Sequence, residues 1–115
     1  MADWETVREI ALGFPEVEET GEERPGLRVR GKLFAWMARE RDGGGIGVRV
    51  DPDEKQLLID SRPDVYFSSP HYDGYPAIQV RLELIDREAL VERLDDAWLI
   101  QAPKRLAASF DAADS

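Results

Sequence analysis

Apolar residues along the chain fall into two rhythms. Trp4, Val7, Ile10, Ala11 and Phe14 recur every three or four residues, the spacing of one helix face. A helix is predicted from about Asp3, a good N-cap, to Leu12, where Gly13 and Pro15 stop it. The rhythm then shortens. Glu16 to Thr20 is polar around Val17 and reads as an edge strand. Leu27 and Val29 alternate with Arg28 and Arg30, the pattern of a half-buried strand. Gly31-Lys32 turns tightly into Leu33 to Glu40, a central strand rich in Phe34, Trp36 and Met37. Asp42-Gly43-Gly44-Gly45 signals a hairpin, because glycine tolerates positive φ. Ile46, Val48 and Val50 alternate with Arg49 in the returning strand.

The second half repeats the alternation of elements. Asp51 caps a short helix, Pro52 takes its first position and Glu54 completes a capping box. That helix carries Leu57 and Leu58 and ends near Ser61. Val65 to Phe67 forms a short strand, followed by the loop Ser68 to Pro76. Ala77 to Leu84 alternates strictly, with Ile78, Val80, Leu82 and Leu84 on one side. Asp86 caps the last long helix, whose Leu90, Leu94, Ala97, Trp98 and Gln101 share a face. Pro103 breaks it before a final short helix with Lys104, Arg105, Leu106 and Phe110. The order is α-β-β-β-β-α-β-β-α-α. Short consecutive strands imply antiparallel pairing, and segregated helices imply an α+β, two-layer fold: one mostly antiparallel sheet with helices on one face.

The 115 residues suit a single domain, 1–115, whose small polar end from Asp111 to Ser115 is expected to fray. There is no cysteine, so disulfides and thiolate metal sites are excluded. The first residues lack a basic and then apolar leader, which points to the cytoplasm, and no apolar run is long enough for a membrane helix. The net charge of −9 favours solubility and opposes a polyanionic partner over the chain as a whole.

Charge placement changes that picture locally. Between Arg24 and Arg49 stand Arg24, Arg28, Arg30, Lys32, Arg39, Arg41 and Arg49 against only Glu40 and Asp42, a net of +5 in an acidic chain. Basic strands joined by tight turns can follow phosphates, with Trp36 or Phe34 adding stacking. The competing explanation is an ordinary solvated sheet face. Lys104 and Arg105 sit at a helix start, where the dipole disfavours cations, a hint of an anionic contact.

Four stretches carry a likeness to known proteins. They are Gly13-Phe14-Pro15 with Val17-Glu18-Glu19; Gly31-Lys32-Leu33-Phe34-Ala35; Ser69-Pro70-His71-Tyr72 with Gly74-Tyr75-Pro76; and Ala97-Trp98 followed by Ala102-Pro103-Lys104-Arg105. In that order they resemble the MmcQ/YjbR family of small bacterial proteins. The resemblance implies an α+β fold with an antiparallel sheet. It also implies DNA as a partner, since members are commonly described as "double wing" DNA-binding proteins. It implies no catalytic residues.

Other constellations are weaker. His71-Tyr72-Asp73-Gly74-Tyr75 holds the only histidine. A histidine beside carboxylates can act as a general base, yet no nucleophile or partner accompanies it, so enzymatic chemistry is not expected. With Trp36, the residues His71, Tyr72 and Tyr75 are candidates for contacting a small ligand or a protein partner. Asp51, Asp53 and Asp60 do not make a calcium loop, because Gln56 stands where glycine is required. Gly43 to Gly47 precedes a strand and lacks the Lys-Ser/Thr ending of a phosphate loop. No metal or cofactor is expected. The reading is a monomeric binding domain, with DNA on its basic hairpins or, alternatively, a protein or small ligand on the sheet face or the His71 loop.

Overall fold

The computed structural model describes residues 2–21 and 23–108. Phe110 and the expected frayed end, 111–115, lie outside the described residues. The Asp3 carboxylate accepts from the Thr6 N–H at 3.0 Å, and Thr6 Oγ1 accepts in return from the Asp3 N–H. This capping box starts α1, Trp4–Ala11. Then come β1 (Val17–Thr20), β2 (Gly26–Val29), β3 (Lys32–Met37), β4 (Ile46–Arg49), α2 (Pro52–Ser61), β5 (Tyr66–Phe67), β6 (Ala77–Val80) and α3 (Arg87–Gln101). Residues 104–108 are again helical.

The strands form one six-stranded sheet in the order β1-β2-β3-β4-β6-β5, antiparallel at every seam. The α+β class and the element order therefore match the sequence expectation. The core lies on the helix side. Leu27, Val29, Phe34, Ala35, Ile46, Val48, Ile78 and Val80 from the sheet meet Val7, Ile10 and Ala11 of α1 and Leu90, Leu94, Ala97 and Trp98 of α3. Burying each larger side chain contributes ~1.5–3 kcal/mol. Trp98 Nε1 donates to the Pro15 carbonyl at 3.1 Å, and Gln101 Nε2 donates to the Leu33 carbonyl at 2.8 Å. These two bonds satisfy the Trp98 indole and the Gln101 amide where α3 meets the rest of the fold.

Local differences from the sequence expectation have physical causes. The strand at Ala77 ends at Val80, not Leu84, because both its neighbours end there: Ile46 and Tyr66 each pair with Val80. Residues 82–84 turn instead, with the Leu84 N–H donating to the Arg81 carbonyl. The central strand stops at Met37, and Glu40–Asp42 form a 3-10 turn before three glycines with φ of 102°, 73° and 72°. The first tight turn is Arg30-Gly31, both at positive φ, the two-residue hairpin form. At α2 the Asp51 carboxylate accepts from Asp53, one residue before the capping-box position, so no box forms with Glu54 among the described bonds. On that helix Leu57 is 68% exposed, while Leu58 and Ile59 pack on the core.

A register shift between Leu27 and Arg28 positions the site. Leu27 pairs with Ala35 but Arg28 pairs with Leu33, leaving Phe34 as the extra residue of a bulge. Phe34 and Ala35 both turn to the core, so Leu33 and Trp36 both reach the opposite, open face.

Candidate binding site on the open sheet face

One rung of the open face crosses the whole sheet: Thr20, Gly26, Trp36, Gly47, Gln79 and Phe67 are consecutive cross-strand partners. The glycine at 47 makes room for the tryptophan, since a Cβ there would run into the Trp36 indole. Glycine inside a strand marks this kind of close approach. Trp36 Nε1 donates to the Tyr72 hydroxyl at 2.9 Å, and the two rings lie 20° from parallel with centroids 6.4 Å apart. Tyr75 meets Trp36 edge-on at 6.5 Å, and His71 meets Tyr72 edge-on at 6.0 Å. Burial pushes the Tyr72 phenol above its ordinary value, opposed by the Trp36 N–H, so the hydroxyl stays protonated at neutral pH.

The loop that carries these rings is tied down from below. Gln79, fully buried, donates to the Asp42 carbonyl at 2.7 Å and the Gly44 carbonyl at 3.4 Å, and accepts from the Ser69 N–H at 2.9 Å. One amide thereby joins the β3–β4 turn to the His71 loop. Lys55 of α2 donates to the Tyr72 and Tyr75 carbonyls at 2.6 and 3.0 Å. Burial pulls its ammonium below the ordinary lysine value, and Asp73 partly offsets this.

Two recesses flank Trp36 and share Leu33 with it. One, of ≈ 380 Å³, is lined by Leu33, Trp36, His71, Tyr72 and Tyr75. The other, of ≈ 330 Å³, adds Thr20, Arg24 and Arg28. Arg28 Nε donates to Thr20 Oγ1 at 3.2 Å and its Nη1 to the Gly31 carbonyl at 3.0 Å, which fixes the guanidinium at the rim. Arg49 stands on the same face, its guanidinium 5.6 Å from the centre of the Tyr75 ring, and its buried Nε has no hydrogen-bond partner among the described residues. Arg81 covers Phe67 at 4.0 Å.

The structure therefore brings together Arg24, Arg28, Trp36, Arg49, His71, Tyr72 and Tyr75 from the sequence candidates. It separates the rest. Arg30 lies in the β2–β3 turn in a two-pronged pair with Glu16, at 2.7 and 2.9 Å. Lys32 is exposed beside it, whereas Arg39 and Arg41 lie at the opposite end of β3, among Glu40 and Asp42. Lys104 and Arg105 are exposed on a segment whose Leu106 and Ala107 pack on the helix-side core. Sequence reading missed Gln79, which looks like an outward polar position, and Lys55. The signal for the recess was present in Gly26 and Gly47, two strand glycines that pair with one tryptophan. Among the described residues no group of three or more His, Cys, Asp or Glu could hold a metal ion, and no helix is long and apolar enough to cross a membrane.

Comparison with known proteins places this geometry in a family. The YjbR family model matches residues 12–100, which include every residue of both recesses. Uncharacterized proteins of Mycobacterium tuberculosis and Mycobacterium bovis are 42% identical over an alignment of 127 residues, covering 96% of this chain and 96% of each relative. The crystal structure of Deinococcus radiodurans protein DR2400, with domain DUF419, superposes with a TM-score of 0.76 at 19% identity, over 96% of this chain and 89% of that one. That structure shares the fold. Matched by the family pattern along most of its length, the chain belongs to the MmcQ/YjbR family.

Proposed function

We propose that the protein is a binding domain that takes nucleic acid on the open face of its sheet. One observation carries this: the cations Arg24 and Arg28 and the rings Trp36, Tyr72 and Tyr75 line adjoining recesses of a single concave surface. Phosphate neutralisation by arginine and base stacking on aromatic rings are the two terms from which such interfaces are built. The hairpin tips fit less well. They lie at opposite ends of β3, one has Arg30 engaged with Glu16, and the other mixes Arg39 and Arg41 with acids. The contact surface is therefore the face between the tips, with DNA the partner suggested by the family resemblance.

The net charge of −9 makes the attraction local and short-ranged. About three phosphate contacts give a slope of log K against log salt of roughly −2 to −3. The test is fluorescence anisotropy with labelled oligonucleotides at ~50 mM salt. Arg24→Glu with Arg28→Glu abolishes binding, while Arg39→Glu with Arg41→Glu leaves it within a few-fold. Absence of binding to any DNA or RNA at that salt refutes the proposal. The mostly aromatic lining of the recess beside His71 supports a second reading, a small ligand bound there. It predicts chemical-shift changes over residues 68–77 with a metabolite pool and none with oligonucleotides.

A further inference from the structure

We infer that the nucleic acid is single-stranded and that one unpaired base enters the recess bounded by Leu33, Trp36, His71, Tyr72 and Tyr75. This rests on the nucleic-acid reading above and narrows it. The recess, ≈ 380 Å³, is near the lower end of the ~300–1,000 Å³ typical of ligand pockets. It suits one planar group and excludes a duplex. In a duplex the base faces are hidden in the stack, and aromatic side chains on a protein surface stack on bases only once these are unpaired.

The rings are set before any ligand arrives. Trp36 is pinned between the Tyr72 hydroxyl and the bare backbone of Gly47. Tyr75 is held through its carbonyl by Lys55 and has the Arg49 guanidinium over its ring. It nevertheless stays 46% exposed, and His71 is exposed as well, so both offer free ring surface beside the recess. Ordering these side chains on binding therefore costs little. The Tyr72 hydroxyl, which accepts from Trp36, retains a proton to donate to a base edge.

The neighbouring recess supplies the place for the phosphate. It shares Leu33 and Trp36 with the first, so a base on one side of the indole puts its backbone on the other, toward Arg24 and Arg28. Arg28 uses Nε and Nη1 within the protein, which leaves Nη2 to donate outward. Arg24 is exposed at the rim. An aromatic slot that adjoins a recess holding a fixed arginine can take a base and its phosphate together.

The experiment compares a labelled single strand with a duplex of the same length on the full chain by anisotropy at ~50 mM salt, for wild type, Tyr75→Ala, Tyr75→Phe, His71→Ala and Arg28→Ala. The single strand should bind at least ~10-fold tighter than the duplex. Tyr75→Ala should weaken it roughly 5- to 100-fold without changing the salt slope, and Tyr75→Phe should leave it within ~2-fold. Arg28→Ala should instead reduce the salt slope by about 0.7. Tyr75 is exposed, so its variants should fold; His71→Ala provides an independent second probe of the slot. Duplex binding that equals or exceeds single-strand binding, with Tyr75→Ala and His71→Ala both neutral, overturns the single-strand inference and leaves the nucleic-acid reading intact. Absence of binding to either form overturns both.

Discussion

Two neighbouring rungs of the sheet differ by a single residue step and follow different rules. The helix-facing rung runs Glu19, Leu27, Ala35, Val48 and Ile78. Its four apolar members are buried aliphatics covered by α1 and α3. The open rung runs Thr20, Gly26, Trp36, Gly47, Gln79 and Phe67. The first needs volume, and hydrophobic residues of similar size can exchange within it at modest cost. The second needs particular residues: an absent side chain at 47, an indole N–H at 36, and an amide at 79 that both donates and accepts. The open rung thus keeps specific residues and a partly exposed indole in place, whereas its neighbour is organised for cohesion.

The largest test of this division compares the two tryptophans. Trp98 is fully buried on the helix side, and Trp98→Ala should cost ~3–5 kcal/mol in urea unfolding, a large share of the ~5–15 kcal/mol typical of a domain. Trp36→Ala, on the open face, should cost less than ~2 kcal/mol, since part of the ring is already in water. Equal losses would mean that the open face also belongs to the core.

Gly47→Ala comes next. The added methyl group meets the Trp36 ring, so the indole must move and break its bond to Tyr72. Overpacking of this kind costs ~1–3 kcal/mol. The near-ultraviolet circular dichroism of the Trp36–Tyr72 pair should weaken, and oligonucleotide binding should fall with it. A variant with the wild-type spectrum would show that the recess does not depend on this glycine.

The same division explains what was legible in the sequence. Alternation of apolar residues is a direct consequence of burying one face, so Leu27 with Val29, Ile46 with Val48, and Ile78 with Val80 mark the core side correctly. The helix caps at Asp3, Asp51 and Asp86 were also visible, because capping is local chemistry. The open face was less legible. The bulge at Phe34 reverses the alternation, and it arises from pairing with β2, which no property of residues 33–36 alone specifies. Gln79 looks like a solvent-facing residue, but the β3–β4 turn and the Ser69 loop fold over it. The basic residues were visible as a group, although their separation was not. Whether Arg28 and Arg39 share a surface depends on the length of β3 and on where its turns fall.

The smallest predicted effect lies at the one acidic member of the helix-facing rung. Glu19 accepts from Trp4 Nε1 and from Arg8 Nε, both at 2.9 Å, and so fastens α1 to the edge strand β1. The Trp4 N–H, followed by the Arg8 bond and charge, holds its carboxyl below the ordinary glutamate value, against the opposing effect of burial. The unfolded chain has the ordinary value of about 4.3. A folded-state value below the unfolded one means that the unfolded chain binds more protons as acid is added. The contribution is therefore complete above pH ~4.3 and is lost as pH falls below it. Because Arg8 is partly in water, its size is modest, about 0.5–1 kcal/mol. Glu19→Gln should lower stability by that amount at pH 7 and narrow its gap from wild type at pH 3, when both are followed by thermal melts. Amide exchange at the two pH values should show where the change occurs. Protection at the α1–β1 seam should drop in acid, while the bonds that hold Trp36, Tyr72 and Gln79 contain no carboxylate and should not respond. If the open face loosened first instead, its anchoring would depend on a titrating carboxylate and not on the bonds of Trp36, Tyr72 and Gln79.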